Sequence, residues 1–376
     1  MIEIKEVKTK KQIRDFILFP VKLYKGNDYY VPELYGDVKK LFTAKNFNDK
    51  ISKTVFYLAY KNGKVVGRIQ GIIQFQANEK NSEKKARFTR VHFIDDKEVV
   101  SALFNAIENW AKQEGMTAIV GPLGYDDLQR EGLLIEGFDQ LSTFEEEYNY
   151  PYYQQRIEEL GYSKDADWFE FKLKYPKQVD TRLQQLTDYS MKMNKLHIAD
   201  TESVTKKQYI NKYRDGFFHV LDEAYSKLYG TVPISKEAQD GLAKQFMQIV
   251  NKKYLLFVCD EKDNVVAFAL CFPSLSKAML KSNGKLTLVR LLKIFHAVNH
   301  PTTIDLGLVG ILPEYQKRGV NAVVINGLLE ILKDKKITHA ETNLNLETNV
   351  AVMSQWKFFD AENHKKRRCF IKQLGE

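Results

Sequence analysis

The chain has 376 residues, 57 basic against 48 acidic side chains, a formal net charge of +9 and an isoelectric point of about 9.0. A single hydrophobic core rarely serves a chain of this length, so two domains are expected. With 44% hydrophobic and 28% charged residues, the composition excludes a disordered or collagen-like protein. The positive charge favours an anionic partner, such as a nucleotide cofactor, an acidic lipid surface or nucleic acid, without choosing among them.

The N-terminal segment shows no apolar core followed by a small-residue cleavage site, so no secretory signal is expected. We also find no uncharged apolar run of the ~18 residues that a membrane-spanning helix needs. These features predict a soluble cytoplasmic protein. Three scattered cysteines, Cys259, Cys271 and Cys369, predict buried free thiols rather than a disulfide framework.

The first half of the chain predicts a hairpin, a strand, a helix, a strand, a helix and a strand, in that order. Two β-branched and aromatic runs, 54–60 and 65–75, flank Asn62-Gly63, a pair that supplies the positive φ of a tight turn. The segment 98–113 has apolar residues at helical spacing, and Gly115 ends it. The acidic, glycine-punctuated segment 129–149 predicts a long irregular loop.

The second half repeats this order after a proline-bearing connection at 174–180. Helices are expected at 206–230 and 235–251, followed by a hairpin of strands 253–260 and 264–272. A strand ending near Leu312 comes next, then a helix from Val320, a strand at 337–344, a helix at 347–358 and a last strand at 367–374. The repetition predicts an α/β (α+β) fold of two tandem domains, 1–175 and 176–376, each a mixed β-sheet flanked by helices.

The segment 304–332 is the most informative part of the sequence. It predicts a buried strand that ends at Pro313, a turn, and a helix whose Val320, Val323 and Val324 share one face. The first turn of a helix leaves backbone N–H groups without partners, and Gly319 would let a phosphate approach them closely. Because Gln316, Lys317 and Arg318 add donors and positive charge, the segment predicts a diphosphate site. 

Two motifs in this part of the chain resemble the GNAT (N-acetyltransferase) superfamily. The stretch from Pro313 to Ala322 is similar to its diphosphate loop, Gln/Arg-x-x-Gly-x-Gly/Ala, with Gln316 and Gly319 matching and Asn321 departing from the pattern. Downstream, Asn349 resembles the asparagine that binds the pantetheine arm in the family. A tyrosine commonly follows it by seven residues, but this chain has Trp356 there. The resemblance covers about the last third of the chain.

The resemblance implies that the second domain binds acetyl-CoA or another acyl-CoA as co-substrate. The residues it assigns to that binding are Val309, Ile311, Leu312, Gln316, Lys317, Arg318, Gly319, Val320, Asn321, Ala322, Asn349 and Trp356. The first domain is expected to be GNAT-like without CoA, because its strand-to-helix junction, 94–97, lacks glycine and carries Asp95 and Asp96, which would repel a diphosphate. An unrelated α+β domain remains the alternative for the first half.

Further roles follow from the same resemblance. A bulge in the strand before the loop, near Gly307, Val309 or Gly310, would aim a backbone N–H at the thioester oxygen. Asp305 and Glu341, on adjacent strands, are the candidate bases, directly or through a water. In the family the tyrosine often protonates the departing thiolate, whereas the indole of Trp356 cannot release its proton at useful pH.

Three other features have ordinary structural explanations. His296 and His300 stand one helical turn apart, but no third ligand is evident, so no metal is predicted. The basic run 364–368 indicates a charged turn, and nucleic acid is not expected as a partner. The apolar helix expected within 286–300 would cover a sheet. Lying on a membrane surface and shaping a pocket for an apolar acyl chain or acceptor are its alternatives.

The sequence therefore predicts an acyltransferase that moves an acyl group, expected to be acetyl, from acyl-CoA to a small-molecule or peptide amine. A non-catalytic GNAT-fold binding module is the first alternative, favoured by Trp356 and the lack of a compelling base. A tandem-domain aminoacyltransferase that uses aminoacyl-tRNA is the second. It would account for the basic charge and the duplication, but it would not need a diphosphate loop.

Overall fold

The computed structural model describes residues 1–44 and 46–375, with backbone alone at 245, 246, 248 and 249. Within these ranges the strands are β1 (Ile2–Glu6), β2 (Ser52–Lys61), β3 (Lys64–Gln74), β4 (Lys85–Phe93), β5 (Ala118–Gly121), β6 (Leu133–Glu136), β7 (Ser163–Lys174), β8 (His197–Ile198), β9 (Leu255–Cys259), β10 (Val265–Pro273), β11 (Thr303–Ile311), β12 (His339–Thr342), β13 (Asn345–Leu346) and β14 (Asp360–Gln373).

The α-helices in the same ranges are α1 (Lys10–Leu23), α2 (Tyr35–Lys40), α3 (Phe75–Asn81), α4 (Lys97–Gln113), α5 (Tyr152–Glu158), α6 (Thr181–Met193), α7 (Lys206–Tyr225), α8 (Lys236–Ile249), α9 (Ser276–Met279), α10 (Leu288–Asn299), α11 (Val320–Leu332) and α12 (Val350–Met353). Short 3-10 turns occur at Phe47–Lys50, Lys252–Tyr254, Pro313–Tyr315 and Ser354–Phe358.

The chain divides into two compact units that are not contiguous in sequence. The first unit contains Met1–Phe169, Ser276–Leu291 and Lys365–Glu376, and the second contains Glu170–Leu275 and Leu292–His364. The last strand of the chain therefore contributes to the first unit. The predicted domain ranges, 1–175 and 176–376, remain a prediction.

The first unit is a mixed sheet in the order β1-β2-β3-β4-β5-β14. β4 and β5 run parallel, and the other neighbours are antiparallel, including residues 370–373 of β14 against β5. The helix α4 packs on this sheet with the apolar face that its sequence predicts, and Val99, Leu103 and Ile107 are fully buried. This burial of a continuous apolar stripe is what holds the helix on the sheet.

The second unit repeats this plan, with strand order β7-β12-β11-β10-β9-β8. β11 and β12 are parallel, while β10 is antiparallel to both β9 and β11. The helix α11 begins where predicted and buries the predicted face, formed by Val320, Val323, Val324, Leu328 and Leu332. Both units are thus mixed sheets flanked by helices, as the sequence predicts.

The loop predicted at 129–149 is largely irregular and contains one short strand, β6, which pairs with residues 366–368 of β14. Two local predictions are wrong. The basic run 364–368, predicted as a charged turn, lies within β14, where Lys365 and Arg367 are buried. The predicted helix 347–358 is only the single turn α12 followed by a 3-10 turn. The helix α6 was not predicted at all, although Asp180 caps its first turn by accepting a hydrogen bond from the Arg182 amide.

The helix within 286–300 does not cover a sheet. It forms as α10, and none of its side chains is buried. In the part of the chain that the structure describes, no helix is both long and apolar enough to span a bilayer.

Candidate functional site

A β-bulge marks the point where β11 parts from β12. The register of β10 against β11 passes from Leu270–Leu308 to Cys271–Leu306, so Gly307 is an extra residue in β11. β11 pairs with β12 only as far as Leu306. A side chain at Gly307 would place its Cβ 2.7 Å from Cε1 of Phe272, so this position requires glycine. The predicted bulge therefore lies at Gly307.

A glycine-bearing loop (residues 313–319, the glycine loop) connects β11 to α11. Its chain makes one 3-10 turn, and then Lys317 and Gly319 adopt left-handed conformations with φ of 62° and 81°. Gly319 caps α11, and the Ala322 amide donates to its carbonyl at 2.9 Å. The amides of Val320 and Asn321 precede the first i→i−4 hydrogen bond of the helix, so this is an anion-binding geometry.

The helix α6 fixes the glycine loop from one side. Ser190 Oγ and Asn194 Nδ2 both donate to the Arg318 carbonyl, at 3.1 and 3.2 Å. Thr187 Oγ1 donates to the Ala322 carbonyl at 3.2 Å. These residues were missed from the sequence. The available signal was the cap residue Asp180, followed at helical spacing by the residues that α6 buries, Leu183, Thr187 and Ser190.

The charged side chains of the glycine loop are at the surface. Lys317 and Arg318 are exposed, and the Arg318 guanidinium lies 5.7 Å from the centroid of the Tyr315 ring. Gln316 turns back on the strand and donates through Nε2 to the Ile311 carbonyl at 3.3 Å. The two cations therefore flank the start of α11, while the amide of Gln316 braces the loop.

The backbone of Leu312 is already engaged within the fold. Its amide donates to the Val266 carbonyl at 2.9 Å, and its carbonyl accepts from the amides of Tyr315 and Gln316. The Val309 carbonyl accepts from the Tyr225 hydroxyl at 3.1 Å. Leu312, which the resemblance assigns to cofactor binding, thus shapes the loop, and its amide is already engaged with β10.

The structure brings the predicted Asn321 to the segment that contains Trp356. Asn321 Nδ2 donates to Gln355 Oε1 at 2.9 Å, which joins the start of α11 to the 3-10 turn after α12. Asn349 caps α12 by accepting from the Val352 amide at 3.4 Å. Trp356 is buried, and its Nε1 donates to Asn345 Oδ1 at 3.1 Å. The indole is therefore a structural donor.

The two predicted bases are neighbours. Asp305 on β11 and Glu341 on β12 are register partners, and partners on parallel strands present side chains to the same face of the sheet. Glu341 Oε1 lies 3.4 Å from His339 Nε2, and Oε2 lies 3.8 Å from His364 Nε2. Asp305 is buried. Burial of the Cys271 thiol, together with the negative charge of Asp305, raises the pKa of that thiol. We call Asp305 and Glu341 the carboxylate pair.

The corresponding junction in the first unit is closed by its own carboxylates. Asp96 caps α4 and accepts from the amides of Glu98 and Val99, at 3.0 and 3.4 Å. Hydrogen bonding to Lys61, at 2.6 Å, is the main cause that lowers the pKa of Asp96. Asp95 pairs with Arg156 at 2.7 Å. The amides that would bind an anion are therefore occupied by an internal anion.

A buried ionic network, which was also missed, lies where β4 leaves β5 in the first unit. The Glu33 carboxylate accepts hydrogen bonds from Arg90 Nε at 2.9 Å and from Arg68 Nη2 at 3.3 Å. The Glu147 carboxylate accepts one from Arg130 Nη1 at 3.1 Å. Burial opposes ionisation of Glu147, but Arg130 and His92 outweigh it and lower its pKa. Arg90 has a left-handed φ of 45°. These residues are far apart in sequence, so no local pattern indicated the network.

Three side chains of metal-binding types lie close together in the second unit. Atoms of His197, Cys259 and Asp263 lie within 4.8 Å of one another. Lys212 forms an ion pair with Asp263, and burial raises the pKa of the Cys259 thiol to about 12. A protonated thiol and a carboxylate that is already paired with a lysine are weak metal ligands. The rings of His296 and His300 are 5.0 Å apart on the exposed α10.

The sequence is similar to two bacterial proteins. It is 26% identical over 372 residues to protein YghO of Escherichia coli strain K12, which covers 97% of this chain and 94% of that protein. It is 27% identical over 290 residues to the bacterial ceramide synthase of Caulobacter vibrioides, covering 74% of this chain and 72% of that protein. No protein-family model matches the sequence.

Solved structures share the fold over the whole chain. A tandem GNAT protein from the clavulanic acid biosynthesis pathway superposes with a TM-score of 0.54 at 11% identity, covering 100% of this chain and 99% of that chain. A GCN5-related N-acetyltransferase from Sphaerobacter thermophilus gives 0.52 at 8% identity, covering 100% and 96%. The chain therefore has the tandem GNAT fold, and the predicted resemblance is confirmed at the level of the fold.

Proposed function

We propose that this protein is an acyl-CoA-dependent N-acyltransferase whose reaction takes place in the second unit. The observation that carries the proposal is the start of α11, where Gly319 leads into a first turn whose amides precede the helical hydrogen bonds. It adjoins a strand that is bulged where it separates from its parallel neighbour. The tandem GNAT fold, common to N-acetyltransferases, supports the same assignment.

The diphosphate of the co-substrate would bind at the start of α11. The amides of Val320 and Asn321 would donate to its oxygens, and the positive end of the helix dipole would favour its charge. Lys317 and Arg318, both exposed beside this turn, would add charge-assisted hydrogen bonds. Asn321 would act through its backbone, because its side chain is engaged with Gln355.

The acyl group would lie at the separation of β11 and β12. Beyond Leu306 β11 no longer pairs with β12, so this edge of the strand would face the pantetheine arm and the thioester. We assign the amide at the Gly307 bulge to polarising the thioester carbonyl. Val309 and Ile311 would take part through their amides, because Tyr225 and Gln316 hold their carbonyls, and Asn349 would take part from the cap of α12.

The transfer itself needs one proton acceptor and one proton donor. The amine nitrogen attacks the thioester carbon, the carbon–sulfur bond breaks, and the sulfur leaves as a thiolate that takes up a proton. We propose Glu341, next to His339, as acceptor of the amine proton, directly or through a water. Asp305 would act on Glu341 electrostatically, as the neighbouring carboxylate. Trp356 would not be the acid, because its N–H is held by Asn345.

The acceptor we propose is a long-chain amino alcohol, with a fatty acyl-CoA as donor. This finer assignment rests on the similarity to a protein named ceramide synthase, since a ceramide is by definition the N-acylated form of such an amine. An acyl-CoA donor agrees with the cytoplasmic location that the sequence predicts. For the first unit we propose a GNAT-like domain without CoA, because Asp96 already occupies the start of α4.

Free-thiol release tests the proposal. Purified protein would be mixed with acyl-CoAs from acetyl to palmitoyl and with a long-chain amino alcohol, a polyamine or a peptide amine. We expect CoA release that requires both substrates and is fastest with the long-chain pair. Saturable CoA binding without release for any amine would instead identify a non-catalytic module. Failure to bind CoA, with consumption of aminoacyl-tRNA, would identify an aminoacyltransferase.

A further inference from the structure

The helix α10 presents an apolar face to the outside of the molecule. Leu288, Phe295 and Leu292 are 75%, 69% and 62% exposed, and Val289 and Leu291 are exposed as well. Positions 288, 291, 292 and 295 follow helical spacing and therefore form one continuous stripe. Single exposed apolar residues are common on proteins, but a contiguous stripe of this kind indicates an interaction surface.

The opposite face attaches the helix to the protein. Ile294, Ala297 and Val298 are half-buried. Arg290, on the same side, donates through its guanidinium to the carbonyls of Ala278, Leu280 and Lys281, the last two at 2.9 and 3.3 Å. The orientation of α10 is thus fixed by polar and apolar contacts on one side. Its exposed stripe is a property of the folded protein, not of a frayed segment.

The stretch of chain that carries this stripe is basic. No Asp or Glu occurs between Asp263 and Asp305, although the chain contains 48 acidic residues. The same stretch carries exposed Lys277, Lys281, Lys285 and Lys293. Lys281 lies 2.7 Å from the carboxylate of Asp28, in an exposed ion pair that contributes little. An apolar stripe bordered by lysines is complementary to a surface in which an anionic outer layer covers an apolar interior.

We propose that α10 is an interfacial helix that docks the protein on an anionic lipid bilayer. Its 12 residues extend only about 18 Å, against the ~30 Å of a bilayer core, so it would lie in the plane of the headgroups. Leu288, Leu292 and Phe295 enter the acyl boundary. Lys285 and Lys293 bind the headgroup phosphates.

A second copy of the chain fits the same surface less well. In a twofold dimer the same patch meets itself, which would place the lysines of both copies around one interface without acidic partners. Anionic lipid removes this repulsion. The proposal rests on the exposed helix and its charge, and it is independent of the reaction proposed for the second unit.

Vesicle co-sedimentation of the full-length protein tests the docking. The vesicles would contain phosphatidylcholine alone or mixed with phosphatidylglycerol. We expect binding to the mixed vesicles, reduced by about tenfold or more in L292E/F295E. The matched control is Phe75→Glu, since Phe75 is also an exposed phenylalanine, at 49%, and belongs to α3. Lys285→Glu with Lys293→Glu should remove the preference for anionic lipid.

Thermal melts would accompany each variant, and unchanged midpoints are expected because the substituted side chains are exposed. Wild-type protein that stays in the supernatant with both vesicle types would overturn the proposal. So would equal binding of wild type and L292E/F295E. A concentration-dependent dimer that L292E/F295E abolishes, without vesicle binding, would assign the surface to a second copy instead.

Discussion

Asp305 and Glu341 are register partners on the parallel strands β11 and β12, one residue pair before those strands separate. The carboxylate pair thus stands at the closed end of the opening in which the proposed reaction occurs. Two histidines, His339 and His364, lie beside the Glu341 carboxylate, at 3.4 and 3.8 Å.

The two members of this pair should respond differently to neutralisation. We expect Glu341→Gln to lower kcat by roughly 10² to 10⁴, the range typical of a lost general base, with little change in KM for acyl-CoA. Asp305→Asn should lower kcat less than tenfold. Steady-state kinetics with Glu330→Gln as the control for an exposed glutamate would check this, because Glu330 forms a surface ion pair with Lys333. A Glu341→Gln enzyme with full kcat would rule out this base.

Trp356 should matter for stability and not for proton transfer. Trp356→Phe removes the indole N–H that Asn345 accepts in a buried position, so we expect a loss of about 1–3 kcal/mol in the free energy of unfolding. Urea unfolding measures that loss. The alkaline limb of the kcat profile should stay in place, and its displacement by this substitution would show that the indole region supplies the acid.

Much of the fold of both units could be predicted from the sequence. Val320, Val323 and Val324 repeat at helical spacing after a glycine, and periodicity of this kind depends only on neighbouring residues. The same is true of the Asn62-Gly63 hairpin and of α4. These elements are local, and the structure confirms each of them.

The functional roles that were missed depend on partners far away in sequence. α6 acquires its role from hydrogen bonds between Ser190 and the Arg318 carbonyl, which no local pattern can reveal. The ionic network of the first unit joins Glu33 to Arg90 in the same way. The helix α10 was predicted correctly, but the prediction that it covers a sheet is wrong. Periodicity does not say whether an apolar face is covered.

Acid should weaken the attachment of the last strand within the first unit. Burial opposes ionisation of Asp167, but hydrogen bonds from Arg368, at 2.8 and 2.9 Å, and from Lys366 bring its pKa down to about 2. Because this is below the value of about 4 in the unfolded chain, the stabilisation is present above pH 4 and is lost as the pH falls towards 2.

Asp167→Asn should therefore be less stable than wild type at pH 7, and the difference should shrink between about pH 4 and pH 2. Chemical unfolding over this range measures it. Asp37→Asn, which removes an exposed ion pair with Lys40, should change little at any pH. A stability difference for Asp167→Asn that persists unchanged to pH 2 would contradict the assigned ion pair.

The native protein should be unreactive towards thiol reagents. Cys259, Cys271 and Cys369 are buried thiols, and burial raises the pKa of Cys259 to about 12. Because the thiolate is the reactive form, Ellman's reagent should label none of them at pH 8 until denaturant is added. Rapid labelling of the folded protein would contradict the burial. Low labelling would also leave CoA release measurable over a small background.

The central claim is that the start of α11 binds the diphosphate of an acyl-CoA, and calorimetric titration of palmitoyl-CoA and acetyl-CoA tests it most directly. Gly319→Glu adds a side chain at a φ of 81°, 3.3 Å from Ser190 Cβ, and a negative charge where phosphate would bind. Gly63→Glu carries the same change at a φ of 71° in open space. Asn321→Ala keeps the backbone amide while removing the bond to Gln355.

The account predicts saturable binding by wild type, by Gly63→Glu and, within about threefold, by Asn321→Ala, since the amide is the donor. Gly319→Glu should abolish it while remaining folded. Binding that survives Gly319→Glu unchanged, or its absence in the wild-type protein, would contradict the claim.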